Sequence, residues 1–396
     1  MSTRKLLIFE SHPVQYRAPV WRELHRLAPD AVEVIFASDC SVRGHFDTGF
    51  GRAVSWDMPL LEGYPSRVLK NERGVPLSNW RSLHGRGVFK LLKTSRPQAV
   101  LLSGLSYQFD WAVIFSALYF GIPIWLRAET QDHCFSRSRK KTILRSWIYR
   151  FIYRAIGHFF AIGQLNHGHY RAHGVPESKI SFSHYCVVDR FKSISEQERQ
   201  KMRSRVRLEA GFTPEQTVLL FSGKLQEKKN PAILLAALTA MPVADRSKYA
   251  LLFVGSGELE SELRKDAERI AGLSYHIAGF KNQSELPAYY LAADFLILPS
   301  LQMGETWGLV VNEALHAGLK IIISRYVGSG ADFQRLPEVR IFDGSVRGLL
   351  AALRSLEATK SSADIDKFMR QYSVEAAAEN IFSQLASSGN LFEHSK

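Results

Sequence analysis

The sequence predicts an α/β protein with two domains, each built on a parallel sheet. A length of 396 residues favours two domains over one. Short apolar runs alternate with helix-like segments throughout the chain, which is typical of parallel strands joined by helical crossovers. A polar, charged stretch, Ser193–Arg207, interrupts this alternation. We therefore expect an N-terminal domain over 1–190, a C-terminal domain over 191–372 and a final segment over 373–396.

The first half contains five apolar runs that predict strands. The segments between them predict helices, because parallel strands need crossovers. The predicted strands are Lys5–Glu10, Val32–Ser38, Ala99–Ser103, Ile124–Arg127 and His158–Ile162. The predicted helices are Ala18–Leu27, Gly85–Thr94, Phe109–Phe120, Lys141–Ala155 and Gln164–His173.

The second half restarts the alternation after Ser193–Arg207, which we interpret as a linker or a solvated helix. A last helix, Val374–Ala386, is expected to pack back on the first domain. Two such Rossmann-like halves leave a cleft between the carboxyl ends of their strands, where ligands of open α/β sheets bind. The predicted strands are Thr217–Ser222, Ala250–Val254, Tyr275–Ala278, Phe295–Leu298, Lys320–Ser324 and Val339–Phe342. The predicted helices are Pro231–Thr239, Glu258–Ala271, Glu285–Ala292, Leu309–Ala317 and Val346–Leu356.

The composition is that of a soluble globular protein, with 46% hydrophobic and 22% charged residues. Cys40, Cys134 and Cys186 form no Cys-x-x-Cys pair, which favours a reducing compartment and argues against a zinc site. Only four apolar residues follow the basic start, and the longest apolar run, Trp111–Leu126, is broken by a glycine and a proline. Neither a signal peptide nor a membrane span is expected, so we predict a cytoplasmic protein.

The first chemical motif, GETWGLVVNEALHA, covers Gly304–Ala317. Glu305 falls in the loop after a predicted strand, and Gly308 opens a helix whose free N–H groups face the cleft and suit an anion. Glu313 lies further along this helix among apolar residues, where a carboxylate needs a partner. These positions suit sugar hydroxyls for Glu305 and ribose hydroxyls for Glu313. The alternative is that Glu305 only complements the helix dipole and Glu313 is solvated.

The second motif, FSGKLQEKKNP, covers Phe221–Pro231. Lys224 and Lys229 follow a buried strand at the edge where the cleft is expected. Two fixed cations there suit a diphosphate leaving group, which gains negative charge as it departs. The alternative is a solvated turn, which is the interpretation we adopt for Lys228.

Four motifs occur in order along the second half. They are FSGKLQEKKNPAILLAAL, LLFVGSGELESEL, IAGFKNQSELPAYYLAADFLILPS and GETWGLVVNEALHAGLKIIIS. Together they resemble glycosyltransferase family 4, which has the GT-B fold of two Rossmann-like domains facing each other across a cleft. The likeness is close over Thr217–Val327 and looser in the N-terminal half. It implies retaining sugar transfer from a UDP- or GDP-sugar, with no metal and no cofactor.

The resemblance also implies roles for individual residues. Lys224 and Lys229 would contact the donor diphosphate and Glu305 the transferred sugar, and we take these three as the catalytic residues. Glu313 would bind the ribose. The other implied donor-binding residues lie near the base, the sugar and the phosphates: Gly223, Gly279, Phe280, Lys281, Thr306, Trp307, Gly308, Leu309 and Val310.

The N-terminal half is expected to form the acceptor or sugar side of the cleft. Its first loop, SHPVQYRAP, departs from the family's glycine-rich pattern and carries His12, Gln15 and Tyr16, so contact with donor and with acceptor both stay open. Arg127 and Glu129 follow another strand. They form either a structural salt bridge or part of a sugar site.

No metal site is predicted. His167, His169 and His173 do not all share one helical face. The one Asp-x-Asp sequence, Asp364–Asp366, lies away from the cleft motifs.

The net charge of +13 is concentrated in one region, because His133–Pro176 contains no acidic residue. Apolar side chains recur there about every four residues, with basic residues from Arg137 to Arg154 between them. This pattern favours either a helix on an anionic membrane surface or a core helix with a solvated basic back. Nucleic acid is not an expected partner, because Trp147 fits a helix core better than a stacking platform. The apolar stripe consists of Ile143, Leu144, Trp147, Ile148, Phe151, Ile152, Ala155 and Ile156.

The predicted function is sugar transfer from a nucleotide-sugar to a glycan or lipid-linked saccharide, in cell-surface polysaccharide assembly. The enzyme would be cytoplasmic, with a peripheral position on the inner face of the membrane as an open question. A sugar-nucleotide epimerase of the same architecture and a non-catalytic sugar-nucleotide-binding protein remain as alternatives. The sequence has no Gly-x-Gly-x-x-Gly between a strand and a helix and no P-loop motif, which argues against dehydrogenases and P-loop ATPases.

Overall fold

A computed structural model describes residues 5–47, 49–69, 74, 77–357 and 365–393. Within these residues the chain forms two α/β units, each built on one parallel sheet. The predicted fold class is therefore confirmed. No helix in the described part of the chain combines the length and the hydropathy needed to span a bilayer.

The N-terminal unit is a seven-stranded parallel sheet with helices in the crossovers. Its strand order is β5-β2-β1-β6-β7-β8-β9, and β3 and β4 form a separate antiparallel hairpin. Both faces of β1 are buried, as expected for a central parallel strand. The strands are β1 Leu6–Glu10, β2 Val32–Phe36, β3 His45–Asp47, β4 Arg52–Val54, β5 Ser66–Val68, β6 Ala99–Leu102, β7 Ile124–Leu126, β8 His158–Ala161 and β9 Ile180–Phe182. The helices are α1 Ala18–Leu27, α2 Val88–Ser95, α3 Gln108–Tyr119, α4 Arg139–Tyr153 and α5 Gln164–Ala172.

The C-terminal unit is a six-stranded parallel sheet with the order β12-β11-β10-β13-β14-β15. Short 3₁₀ turns occur at Glu177–Lys179, Glu227–Lys229 and Arg370–Tyr372. The strands are β10 Thr217–Ser222, β11 Tyr249–Val254, β12 Ser274–Ile277, β13 Phe295–Leu298, β14 Lys320–Ser324 and β15 Val339–Phe342. The helices are α6 Glu196–Glu209, α7 Ala232–Thr239, α8 Val243–Arg246, α9 Glu260–Glu268, α10 Leu286–Ala292, α11 Val310–His316, α12 Gly330–Phe333, α13 Val346–Glu357, α14 Ile365–Met369 and α15 Val374–Glu393.

The stretch Ser193–Arg207, predicted as a linker or a solvated helix, lies largely in α6 and belongs to the C-terminal unit. α6 packs on α10, and Val206 is buried between them. Arg203 and Arg207 both pair with Asp294, at 2.6 and 2.7 Å. The sequence analysis missed this packing because arginines, and not apolar residues, make most of the contacts of α6. A search for apolar periodicity therefore does not detect the packed face of the helix.

The last helix, α15, lies against α1 of the N-terminal unit. Ser183 Oγ donates to the carbonyl of Ala377 at 2.9 Å, and Gln98 Nε2 donates to that of Leu385 at 3.0 Å. The chain therefore crosses back over the cleft after β15, and its end joins the N-terminal core.

Candidate active site

The floor of the cleft is backbone at the carboxyl ends of β10, β11 and β12. The amide of Gly223 donates to Val254, and that of Gly255 donates to Gly279, at 2.9 and 2.8 Å. A Cβ on Gly255 would lie 1.9 Å from the carbonyl oxygen of Gly223. Since no side chain fits between these loops, glycine lets the strand ends close into a smooth floor.

A cavity opens above this floor, between the two units. Residues from both units and from their connection line it. Six of the predicted donor-binding residues are among them: Gly223, Phe280, Lys281, Leu309, Val310 and Glu313. The first loop contributes Gln15 and Tyr16, two residues predicted for the acceptor or sugar side. The cavity is also lined by residues that were not predicted as site residues, among them Phe50, Trp56, Arg190, Ser222 and Tyr290.

Glu313 has the partner that its apolar surroundings require. The hydroxyl of Tyr290 donates to Glu313 Oε2 and lies 3.3 Å from Ser222 Oγ. Burial raises the pKa of Glu313, while the hydrogen bond from Tyr290 opposes that rise. The alternative of a solvated glutamate is therefore wrong, because the carboxylate is held in place at the wall of the cavity.

Lys229 and Glu305 come from different motifs, and the fold brings them together. Lys229 Nζ pairs with Glu305 Oε2, and Ser300 Oγ lies 3.0 Å from the same oxygen. Both charged side chains are mostly buried. Lys224 Nζ lies 4.8 Å from the ring centroid of Phe50.

The segment after Glu305 is fixed by its side chains as well as by its backbone. Trp307 is buried and its indole N–H donates to Asn312 Oδ1 at 2.8 Å, so only its backbone can face a donor. Gly308 has a φ of +90°, and a Cβ there would lie 2.7 Å from Leu298 Cδ2. α11 begins at Val310, two residues after this glycine.

The N-terminal wall is organised around Glu129. Its carboxylate accepts hydrogen bonds from Arg17 at 2.9 Å, from Tyr185 and from Thr306 Oγ1 at 3.1 Å. Arg17 also pairs with the buried Glu10 at 2.6 Å. Burial alone would raise the pKa of Glu129, but the charge of Arg17 and these hydrogen bonds lower it overall. Glu129 is thus an ionised carboxylate at the contact between the two units.

Arg127 and Glu129 contact different partners, so the interpretation as a structural salt bridge between them is wrong, whereas a sugar site at this strand end stays a prediction. Arg127 is buried and donates to the carbonyls of Ser183 and His184, at 3.1 and 3.0 Å. Residues two apart would share a face in a strand, but β7 ends at Leu126, so this alternation does not extend to Arg127 and Glu129. His12 stays in the first loop, where its Nδ1 lies 2.9 Å from Ser11 Oγ.

The three histidines in α5 and at its end do not all share a face, as expected, but His169 and His173 lie together. His169 Nδ1 and His173 Nε2 lie 2.8 and 3.1 Å from Asp132 Oδ2. The side chains of Asp132, His169 and His173 have the types and spacing that could hold a metal ion. Arg145 Nη1, however, pairs with Asp132 Oδ1 at 2.7 Å, so the guanidinium already supplies a positive charge next to this carboxylate. His167 faces Glu177 instead, and Asp364 lies outside the described residues.

The apolar stripe of α4 is on the surface, so the interpretation as a core helix is wrong for most of it. Only Ile152 and Ile156 are buried; Trp147 and Phe151 are 70% and 76% exposed. Further large apolar side chains are exposed on α2 and α3. The exposed set on these three helices is Phe89, Phe115, Leu118, Tyr119, Ile143, Leu144, Trp147, Ile148 and Phe151.

Comparison with known proteins finds a family resemblance over most of the C-terminal unit. The family described as glycosyl transferases group 1 matches residues 203–368. A phosphatidyl-myo-inositol mannosyltransferase from Mycolicibacterium smegmatis is 34% identical over 149 residues, which are 36% of this chain and 38% of that protein. The chain therefore matches less than half the length of that relative.

Solved structures match the fold of the whole chain. Anabaena Alr3699/HepE in complex with UDP has a TM-score of 0.69 at 16% identity, covering 97% of this chain and all of that one. A glycosyltransferase from Rickettsia africae has a TM-score of 0.68 at 12% identity, covering 99% and 100%. Residues 203–368 thus resemble the group 1 glycosyl transferases, and the chain has the two-domain GT-B fold.

Proposed function

We propose that this protein transfers a sugar from a UDP- or GDP-sugar to a glycan or lipid-linked acceptor. The observation that carries the proposal is the cavity at the strand ends, in whose wall Glu313 is held by Tyr290. The Lys229–Glu305 pair lies outside this lining, in the loops that follow β10 and β13. A cavity between units that contains a few oriented polar groups suits a small ligand. The match to the group 1 family over this unit supports the same class of reaction.

In the proposed arrangement the diphosphate lies at the lysines and the ribose at Glu313. Lys224 and Lys229 would stabilise the negative charge that grows on the diphosphate as the bond between sugar and phosphate breaks. Glu313 would accept hydrogen bonds from the ribose hydroxyls. Glu305, already held by Lys229 and Ser300, would accept hydrogen bonds from the transferred sugar.

We propose that transfer proceeds with retention and without a metal. The acceptor oxygen would bond to the anomeric carbon on the face that the diphosphate leaves, and its proton would pass to the departing phosphate. Glu305 is then a binding group and not a nucleophile. Its ion pair with Lys229 supports this role, because a carboxylate neutralised by a lysine is a poorer nucleophile than a free one.

We also propose that the protein binds its acceptor at an anionic membrane surface. The exposed apolar side chains of α4 stand among exposed basic ones, and no acidic residue occurs from 133 to 176. Apolar side chains that enter the interface and cations that attract anionic lipid together bind a helix to a bilayer. The relative from Mycolicibacterium smegmatis is named for a lipid, phosphatidyl-myo-inositol, which agrees with a lipid-linked acceptor.

The experiment that tests the function is a turnover assay with a panel of UDP- and GDP-sugars, with and without lipid-linked saccharides. We expect the nucleoside diphosphate to be released quickly only when the correct acceptor is present. Conversion of the donor sugar without any acceptor would identify an epimerase. Donor binding without any turnover across the panel would identify a non-catalytic binding protein, and either result would reject the transferase.

A further inference from the structure

A polar cluster in the N-terminal unit joins the end of α5 to the loop after β7. Its members are His169, His173 and Asp132, which we call the histidine cluster. The amide of His173 donates to the carbonyl of His169 at 3.1 Å, which continues the helical turn. Both imidazoles therefore leave the same face, four residues apart, and lie 2.8 and 3.1 Å from one oxygen, Asp132 Oδ2.

The inner atoms of the histidine cluster are a ligand set for a transition metal. Two imidazole nitrogens and one carboxylate oxygen all lie within 4.8 Å of one another. Two histidines at positions i and i+4 of one helical face are a common zinc pair, and a carboxylate is a common third ligand. The side chains of His169 and His173 are 0% and 7% exposed, whereas that of Asp132 is 45% exposed. The cluster is therefore closed on the side of the helix and open at the carboxylate, where an ion can enter and keep a water ligand.

The outer nitrogen of each imidazole has a hydroxyl partner. His169 Nε2 lies 2.9 Å from the hydroxyl of Tyr153. His173 Nδ1 lies 3.2 Å from Ser146 Oγ. A hydroxyl can donate to a bare nitrogen or accept from an N–H group. Each imidazole can thus move its proton from the inner to the outer nitrogen when an ion binds, and no buried nitrogen loses its partner. Outer partners of this kind orient the histidines of metal sites.

Arg145 influences the strength of such a site. Its Nη1 pairs with Asp132 Oδ1 at 2.7 Å and leaves Oδ2 to the histidines. The guanidinium orients the carboxylate, but its positive charge repels a cation bound to the other oxygen. We therefore expect Arg145→Gln to bind a metal ion more tightly than the wild type does.

We propose that Asp132, His169 and His173 bind one divalent transition-metal ion, for which zinc is the best-suited element. Imidazole nitrogens with a carboxylate oxygen suit zinc, whereas magnesium and calcium prefer oxygen ligands alone. None of the three residues lines the cavity that contains Glu313, so the ion has no part in the proposed transfer step. The site therefore does not depend on the proposed function.

The ion would stabilise the contact between the two units. Asp132 stands in the loop between Gln131 and His133, which both reach the C-terminal unit. Gln131 Nε2 donates to the carbonyl of Thr306 at 2.7 Å, and His133 Nε2 lies 3.0 Å from that of Arg325. A bound ion would tie this loop to α5. Because the cluster exists only in the folded chain, zinc should raise the melting temperature.

The test is calorimetric titration of zinc into the full chain, without a histidine tag and after treatment with a chelator. We expect one zinc ion per chain. His169→Ala and His173→Ala should each bind zinc at least about tenfold more weakly, because losing a ligand costs no less than losing an outer partner. His167→Ala is the matched control, since His167 lies on the same helix but pairs with Glu177, and it should bind zinc as the wild type does.

Three results would overturn the proposal. They are the absence of stoichiometric binding in the wild type, binding by either cluster variant as tight as in the wild type, and unchanged affinity in Arg145→Gln, which would place the ion elsewhere. Should a histidine variant melt below the wild type in the absence of zinc, Asp132→Asn keeps the shape of the third ligand. It should also bind zinc at least about tenfold more weakly, and wild-type affinity in this variant would likewise reject the site.

Discussion

The half-buried carboxylate of Glu313 is held by one hydroxyl group, that of Tyr290. The sequence indicated that this glutamate sits among apolar residues and needs a partner, and the structure supplies Tyr290. The partner could not be predicted, because it comes from α10, more than twenty residues earlier, where it looks like any buried aromatic residue. The sequence identified the group that carries the chemistry, but only the fold shows how it is held.

Replacing Tyr290 with phenylalanine tests this support. The hydrogen bond from Tyr290 lowers the pKa of Glu313, so its loss lets burial raise that pKa further. We expect nucleotide affinity to fall about tenfold at neutral pH. We also expect the acid limb of the binding profile to move to higher pH, because the ionised carboxylate is the form that accepts from ribose.

Tyr249→Phe is the control for this variant. Tyr249 also donates to a glutamate, Glu357, but this pair lies at the opposite end of β11 from the cavity. A pH profile of nucleotide binding that shifts equally in both variants, or in neither, would contradict the role given to Tyr290.

Among the strands, those formed by longer apolar runs were the ones that could be predicted from the sequence. The strands of the second half were predicted to within one residue, because each is a run of four to six residues and four of them, β10, β11, β13 and β14, are almost wholly buried. β5 and β9 are three residues long and only partly buried, so no run marks them. The hairpin of β3 and β4 was missed for the same reason, because each of its strands is only three residues long.

The helix α4 shows a different limit. Its apolar stripe has the same spacing whether it faces a core or a bilayer, so periodicity alone left both interpretations open. The exposure of Trp147 and Phe151 decides against the core. Which surface an amphipathic helix faces is a property of its neighbours in the fold and not of its own sequence.

Liposome flotation tests the membrane proposal at this scale. We expect the wild-type chain to float with vesicles that contain anionic lipid and to stay behind with neutral vesicles. The double variant Trp147→Glu with Phe151→Glu should lose flotation, because it places two anions in the interface. Leu208→Glu on α6, where the leucine is 81% exposed, is the matched control and should float as the wild type does. Equal flotation of the two variants would reject α4 as the contact.

At the scale of the whole molecule, several buried polar contacts join the two units. One is Asp332 of α12, which accepts from the amide of Gln164 at 3.0 Å and from the hydroxyl of Tyr372 at 3.1 Å. Burial raises the pKa of Asp332 to about 7. No local pattern marks this aspartate, because its partners are 168 and 40 residues away. The two-domain architecture could be predicted from the sequence, whereas the polar contacts that join the two units could not.

Asp332 therefore makes stability depend on pH in a direction that can be measured. In the folded chain the Asp332 carboxyl keeps its proton up to about pH 7. In the unfolded chain the same carboxyl releases the proton near its ordinary pKa of 3.8. The unfolded state binds fewer protons in between, so this contribution to stability is present in acid and is lost as pH rises through 7. The melting temperature of Asp332→Asn should rise relative to wild type from pH 5 to pH 8. A constant difference between the two proteins over that range would contradict the assignment.

The central claim is that Lys224 and Lys229 hold and stabilise the departing diphosphate. The most direct measurement compares nucleotide affinity and sugar-transfer rate for wild type, Lys224→Ala with Lys229→Ala, and the exposed neighbour Lys228→Ala. We predict that the double variant loses at least about a hundredfold in turnover and also binds the nucleotide more weakly, while Lys228→Ala stays within about twofold of wild type. Unchanged affinity and turnover in the double variant would contradict the account.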